Sequence, residues 1–252
     1  MIRFLFALAL AVAGLSSSAH AADDYCSYGR ETAVLLIDRT TQFDSVDRSV
    51  FLDALGSLID QLGPGDRLAA FTMTGAYTDS RKLFDQCKPG CPDSSFFASL
   101  MSSCSATLAR SELMGFTRSL AIILAGLLRK PEQNPQSDLF RTVAEVTHDF
   151  ATGEDGAKPI RHVVMFSDLL ENSDVLPERE LRSMSVSRVL ALLQASQIEP
   201  DVSGATVQVY GFGRDDSPRR RPLPPSQRQR VAEIWDRWFR AGGAADVEIG
   251  FR

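Results

Sequence analysis

Five consecutive apolar residues, Ala33-Val34-Leu35-Leu36-Ile37, run directly into Asp38-Arg39-Thr40-Thr41-Gln42. The run is too short for a helix, rich in branched side chains and free of polar alternation. That is the pattern of a strand buried on both faces of a parallel sheet. Far downstream Val163-Val164-Met165-Phe166 repeats it at the end of a predicted strand over 160–166, and Ser167-Asp168 follows. Two carboxylates, Asp38 and Asp168, therefore lie at the carboxyl ends of two buried strands. Open α/β sheets place their ligands at such ends.

Between and after these strands the period changes to that of helices. Phe51, Leu55, Leu58, Ile59 and Leu62 share one helical face, with Asp47 or Ser49 as the expected cap and Gly63-Pro64-Gly65-Asp66 as the stop. Residues 67–73 read as the next strand, so the segment is a βαβ unit with a right-handed crossover. Residues 82–86 read as an edge strand returning as a hairpin. Residues 87–111 hold no period and are rich in Pro, Gly, Ser and Cys, which marks an insertion with room for a short helix at 96–101. A helix is expected over 112–129, closed by Pro131, and another over 138–150 with Ser137 as its N-cap. A helix near 185–196, a strand over 206–212, a helix opened by Ser226 and a last strand over 247–251 complete the order. The Trp235 and Trp238 stripe of that last helix reads as core, and Arg219-Arg220-Arg221 as a solvated loop. The expectation is one doubly wound α/β domain, its central sheet mostly parallel with helices on both faces, carrying a Cys-containing insertion.

Composition narrows the partners. A 252-residue chain with a formal charge of −5 is not a general nucleic-acid binder. Arg3, the apolar stretch from Phe4 to Leu15 and Ala19-His20-Ala21 form a secretory signal peptide over 1–21, cleaved near Ala21 or Ala22. The domain proper is then 22–252, the product of a bacterium's periplasm or secretions. No later apolar run is long and charge-free enough for a transmembrane helix. Four cysteines, Cys26, Cys87, Cys91 and Cys104, remain in the exported part and read as disulfides. Three pairings are open; the preferred one puts a bridge inside 87–104 and ties Cys26 to that insertion. Zinc is disfavoured, because His148 and His162 lie far from the cysteines in sequence.

Asp38, Thr40 and Asp168 together repel unless a cation, a proton or a basic group intervenes. With hydroxyls alongside, the guest of choice is a hard, oxygen-seeking cation: Mg²⁺ with waters retained, or Mn²⁺ or Ca²⁺. Arg39 is the internal cation that would replace it. The pattern Asp38-x-Thr40-x-Gln42, Ser137 before a helix, and Ser167-Asp168 after a buried strand resembles the von Willebrand factor A (vWA) domain. In that family a metal-ion-dependent adhesion site uses D-x-S-x-S, a Thr from a later loop and an Asp after the fourth strand. The resemblance implies a vWA/Rossmann-like fold over about 31–252 and a metal set of Asp38, Thr40, Gln42, Ser137 and Asp168. The departure is Gln42, where the family has Ser; Asp44 is the carboxylate that would substitute. Arg39, Asp44, Glu171 and Asn172 are the expected partner-binding rim, with Glu171 and Asn172 solvent-exposed.

Three functions compete. The first is a binding module, not an enzyme, whose metal takes an acidic side chain from a protein partner; alanine at Asp38 should then abolish binding with little loss of fold. The second is a metal-free scaffold that uses the same loops or the cysteine insertion. The third is a phosphate-ester hydrolase, loosely resembling haloacid-dehalogenase-type phosphatases, but their D-x-D reads Asp38-x-Thr40 here and lacks the general acid. A nicotinamide enzyme is disfavoured because no G-x-G-x-x-G follows the first strand.

Overall fold

The computed structural model describes residues 25–92, 104–127, 134–152, 158–215 and 221–250. The expected signal peptide, the short helix at 96–101 and Arg219-Arg220 lie outside these residues. Among the described residues six strands form one sheet in the order β3-β2-β1-β4-β5-β6. They are β1 (Thr32–Asp38), β2 (Arg67–Met73), β3 (Lys82–Cys87), β4 (Ile160–Phe166), β5 (Thr206–Tyr210) and β6 (Asp246–Ile249). Every neighbouring pair is parallel except β2 with β3. The chain builds outward from β1 in one direction and from β4 in the other. The order reverses between β1 and β4, where doubly wound sheets open a crevice. Asp38 and Asp168 flank that crevice.

The continuous apolar pattern of β1 is explained by its place: all seven of its residues are buried. Alternate side chains feed two cores. Val34 and Leu36, with Val163, Met165, Val207 and Val209, pack under α3 (Leu139–Thr152), α5 (Val186–Ala195) and α6 (Pro225–Ala241). Ala33, Leu35 and Ile37, with Leu68, Val164 and Phe166, pack under α1 (Ser45–Gln61) and α2 (Ala106–Leu127). Trp235 and Trp238 are core, as the stripe implies, and each indole donates to a backbone carbonyl, Leu169 and Ile198 respectively.

The helix ends differ from expectation, and each difference has a cause. The cap of α1 is Asp44, which accepts from Val46 and Asp47 amides while the Asp47 carboxylate accepts from the Asp44 amide, a capping box. Helix α2 starts at Ala106, six residues before Glu112, because its first buried contact is the small Ala109, which leaves no strong apolar period. Residues 106–111, expected within the insertion, belong to α2. Helix α6 opens with Pro225 itself, a residue suited to a first turn, rather than with a Ser226 cap. A one-and-a-half-turn helix, α4 (Glu178–Ser183), carries too few apolar residues to register in the sequence.

Both cysteine pairs are oxidised, Cys26–Cys87 across 61 residues and Cys91–Cys104 across 13. The first pins the segment before β1 to the end of β3. In the chain-entropy picture the longer loop is worth about 4 kcal/mol and the shorter about 3 kcal/mol. Replacing Cys26 and Cys87 by Ser should therefore lower the melting temperature by about 8–16 °C, and replacing Cys91 and Cys104 by somewhat less. Calorimetry of the two double variants checks the order; a larger loss from the Cys91–Cys104 pair would refute it.

Candidate functional site

The buried Asp38 carboxylate is where three segments meet. Its Oδ1 accepts from the Thr40 amide at 2.8 Å, the Thr40 hydroxyl at 2.6 Å and the Thr41 amide at 3.3 Å. Its Oδ2 accepts from the Thr41 hydroxyl at 2.8 Å and the Ser167 hydroxyl at 2.7 Å. The Asp38 side chain is thus fully engaged and 2% exposed. Alanine there would strand several buried donors, so the expected mildness toward the fold does not hold.

The Thr40 hydroxyl stands 2.9 Å from the Ser137 hydroxyl. Because Thr40 commits its proton to Asp38, it accepts from Ser137. The chain Ser137 → Thr40 → Asp38 draws both protons inward and leaves oxygen lone pairs outward. Ser137 is not the cap of α3; the helix's Leu139 and Phe140 amides donate instead to Glu171 Oε2, at 2.7 and 3.0 Å.

Asp168 is set by a strained loop. Leu169 adopts φ +61°, a left-handed conformation that costs a non-glycine residue of order 1–3 kcal/mol. Its side chain is fully buried, its amide donates to the Ser167 hydroxyl, and its carbonyl accepts from Trp235 and the Glu171 amide. The Leu170 amide donates to Asp168 Oδ1 at 3.0 Å.

Thr40, Thr41, Ser137, Asp168, Leu170 and Asn172 are among the residues lining a polar cleft of about 40 Å³. That volume holds a few water-sized bodies, at roughly 10–15 Å³ each. Organic ligands need roughly 300–1,000 Å³. The cleft therefore suits an ion with its waters, or the tip of one side chain. Its lining of Thr40, Thr41 and Ser137 hydroxyls with two carboxylates, Asp168 and the Arg182-paired Glu178, fits a hard cation. Among the described residues no group of three His, Cys, Asp or Glu is placed to hold a metal; the oxygen set here relies on hydroxyls.

Of the five expected metal residues, Thr40, Ser137 and Asp168 line the cleft, and Asp38 lies behind Thr40. Gln42 does not line it: its side chain is exposed, beyond the turn that Thr40 and Thr41 make around Asp38. Among the rim residues, Asn172 is half-buried; its side chain donates to the Pro135 carbonyl and accepts from the Glu178 amide. Arg39 is half-buried, and its amide extends the β1–β2 register to the Met73 carbonyl. Asp44 is spent as a helix cap and paired to Arg214 at 2.6 Å, with Arg214 also on Asp47. Burial raises Asp44, but the Asp47 amide and Arg214 outweigh it and hold its carboxyl below the usual range.

Glu171 overturns the expectation of an exposed rim residue: it is 1% exposed, folded under α3. Thr41, Ser167 as a donor and Glu171 as a cap were the contributors missed. Thr41 and Ser167 adjoin the motifs, but nothing local marks Glu171, which acts 32 residues away in sequence.

No protein-family model matches the sequence, and no curated protein matches it. Among solved structures, the crystal structure of the SpRpn10 VWA domain is similar over 88% of each chain, at 10% identity and a TM-score of 0.38. The strand order, the antiparallel β3 and the placement of Asp38 and Asp168 at the switch point show a doubly wound, mostly parallel α/β sheet, the architecture that the vWA resemblance implies.

Burial raises the Glu171 carboxyl to about 8, against the pull of the Ser173 hydroxyl and the Phe140 and Leu139 amides, with the Asp138 charge adding to the rise. A folded-state value above the unfolded one means stability that is full below about 4.5 and lost as pH climbs through about 8. Glu171→Gln keeps an acceptor for both amides and removes the titration. Wild type should thus lose stability relative to Glu171→Gln across that window, by on the order of a few kcal/mol. Denaturant melts at several pH values check this; parallel curves would refute it.

Proposed function

We propose that the protein is an exported protein-binding module, not an enzyme, that recognises its partner at the cleft between the β1, β4 and α3 loops. The observation that carries this is the Ser137–Thr40–Asp38 hydroxyl relay beside Asp168, which turns oxygen lone pairs toward a space sized for an ion and its waters. Thr40, Ser137 and Asp168 would hold Mg²⁺, or Mn²⁺ or Ca²⁺, with Asp38 acting through Thr40. Such a cation supplies an open coordination position for an acidic side chain of a protein partner, as the vWA-like fold and its motif residues imply. Asn172 borders that approach. The two disulfides support export to an oxidising compartment. Among the described residues no helix is long and apolar enough to cross a membrane.

A second reading has its own support. Gln42 stands outside the cleft and Asp38 is satisfied by protein donors alone, which favours a metal-free version of the same contact surface.

Thermal melts with EDTA and then with millimolar Mg²⁺, Mn²⁺ or Ca²⁺ separate the two. Saturation about 100-fold above the dissociation constant stabilises by about 2.7 kcal/mol. For a chain this size that is a rise of about 5–11 °C. The rise should vanish in Thr40→Val and Asp168→Asn. No shift with any cation in the wild type sinks the metal version and leaves the metal-free surface.

A further inference from the structure

We propose that Glu171 is a positioning residue for the cleft: by capping α3 from the neighbouring loop it fixes where Ser137 stands opposite Thr40. The inference rests on the reading of the cleft as a cation site. Glu171 is not among the residues that line the cleft, so it acts only through others. Five hydrogen bonds join residues 135–140 to residues 171–172. Glu171 takes the Leu139 and Phe140 amides, Ser137 and Asn172 exchange backbone bonds at 3.0 and 2.9 Å, and the Asn172 amide group donates to the Pro135 carbonyl. The loop bearing Ser137 and the loop bearing Asp168 are thereby one unit.

Ser137 stands two residues before Leu139, the first residue of α3, and Asp138 between them turns its side chain to the Tyr77 amide. Glu171 takes the Leu139 and Phe140 amides, and the Ser137 hydroxyl turns to Thr40, 2.9 Å away. Without the Glu171 side chain those two amides lose their acceptor, and the start of α3 is no longer tied to the Asp168 loop through them. Ser137 then loses its fixed place opposite Thr40, which removes one of the oxygens from the cleft. Loss of a group that orients ligands in this way typically costs roughly 10–100-fold in metal affinity.

The test compares the mature wild type with Glu171→Gln and Glu171→Leu, measuring Mn²⁺ affinity by calorimetry and amide exchange by NMR. Gln keeps an acceptor for both helix amides and should retain wild-type affinity and slow exchange at Ser137 and Asn172. Leu should weaken Mn²⁺ by about tenfold or more. It should also speed exchange at Ser137 and Asn172 while leaving Val34 and Leu36 of β1 unchanged. A Leu variant with wild-type affinity overturns the proposal, as does a Gln variant that loses as much as Leu. Equal acceleration at β1 also overturns it, because Glu171 would then be a general stability element. If the wild type takes no Mn²⁺, the cation reading falls separately and exchange decides alone. Faster exchange confined to Ser137 and Asn172 supports the positioning role, and unchanged exchange overturns it.

Discussion

The buried carboxylate of Asp38 is the constraint on which the loop face depends. A carboxylate taken out of water is tolerated only when its lone pairs are filled. Here they are filled by its own turn, through Thr40 and Thr41, and by Ser167 from the end of β4. Satisfying one charge therefore fixes the turn after β1, docks it against the adjacent strand end and orients the Thr40 hydroxyl. The switch point of the sheet is stapled by this single side chain rather than by bulk packing alone. Apolar packing reinforces it from outside: Phe43, at the end of the same turn, stacks on Phe166 with ring centroids 3.9 Å apart.

Around that anchor the structure separates holding from presenting. Asp38 and Ser167 are turned inward and have no room left for a guest, and Thr41, which borders the cleft, donates its hydroxyl proton to Asp38. Thr40, Ser137 and Asp168 are held by their neighbours and present the cleft. The division follows from hydrogen-bond direction, since a hydroxyl that donates inward can only accept outward. Arg214 contributes at longer range. By pairing with Asp44 and Asp47 it ties the loop after β5 to the start of α1, and so to the turn that carries Thr40.

Much of this was legible in the sequence, for local reasons. β1 and β4 announce themselves because a strand buried on both faces must be continuously apolar. α6 does so because one face meets the core at the helical period. The acidic residues at the strand ends mark the switch point before any coordinates exist. What stayed hidden is what depends on distant partners. Asp44 and Ser137 look alike as polar residues before helices, yet Asp44 adjoins α1 and caps it, while Ser137 stands one residue further out and Glu171 takes the first α3 amides. Burial of Glu171 is equally invisible, since an acidic run such as Asp168-Leu169-Leu170-Glu171 reads as solvated unless the helix above it is known. Gln42 was placed in the site by motif spacing alone, and the turn around Asp38 carries it away.

The strained backbone at Leu169 is braced by a chromophore.

 Both tryptophans of the chain sit on α6, and the Trp235 indole donates to the Leu169 carbonyl at 3.1 Å while stacking on Phe140 of α3 at 3.9 Å. One ring thus touches the Asp168 loop through its N–H and the helix after Ser137 through its face. Any shift of either loop changes the polarity and stacking around that indole. The protein therefore carries its own optical reporter, and the ultraviolet emission of an unlabelled sample registers what happens at the cleft.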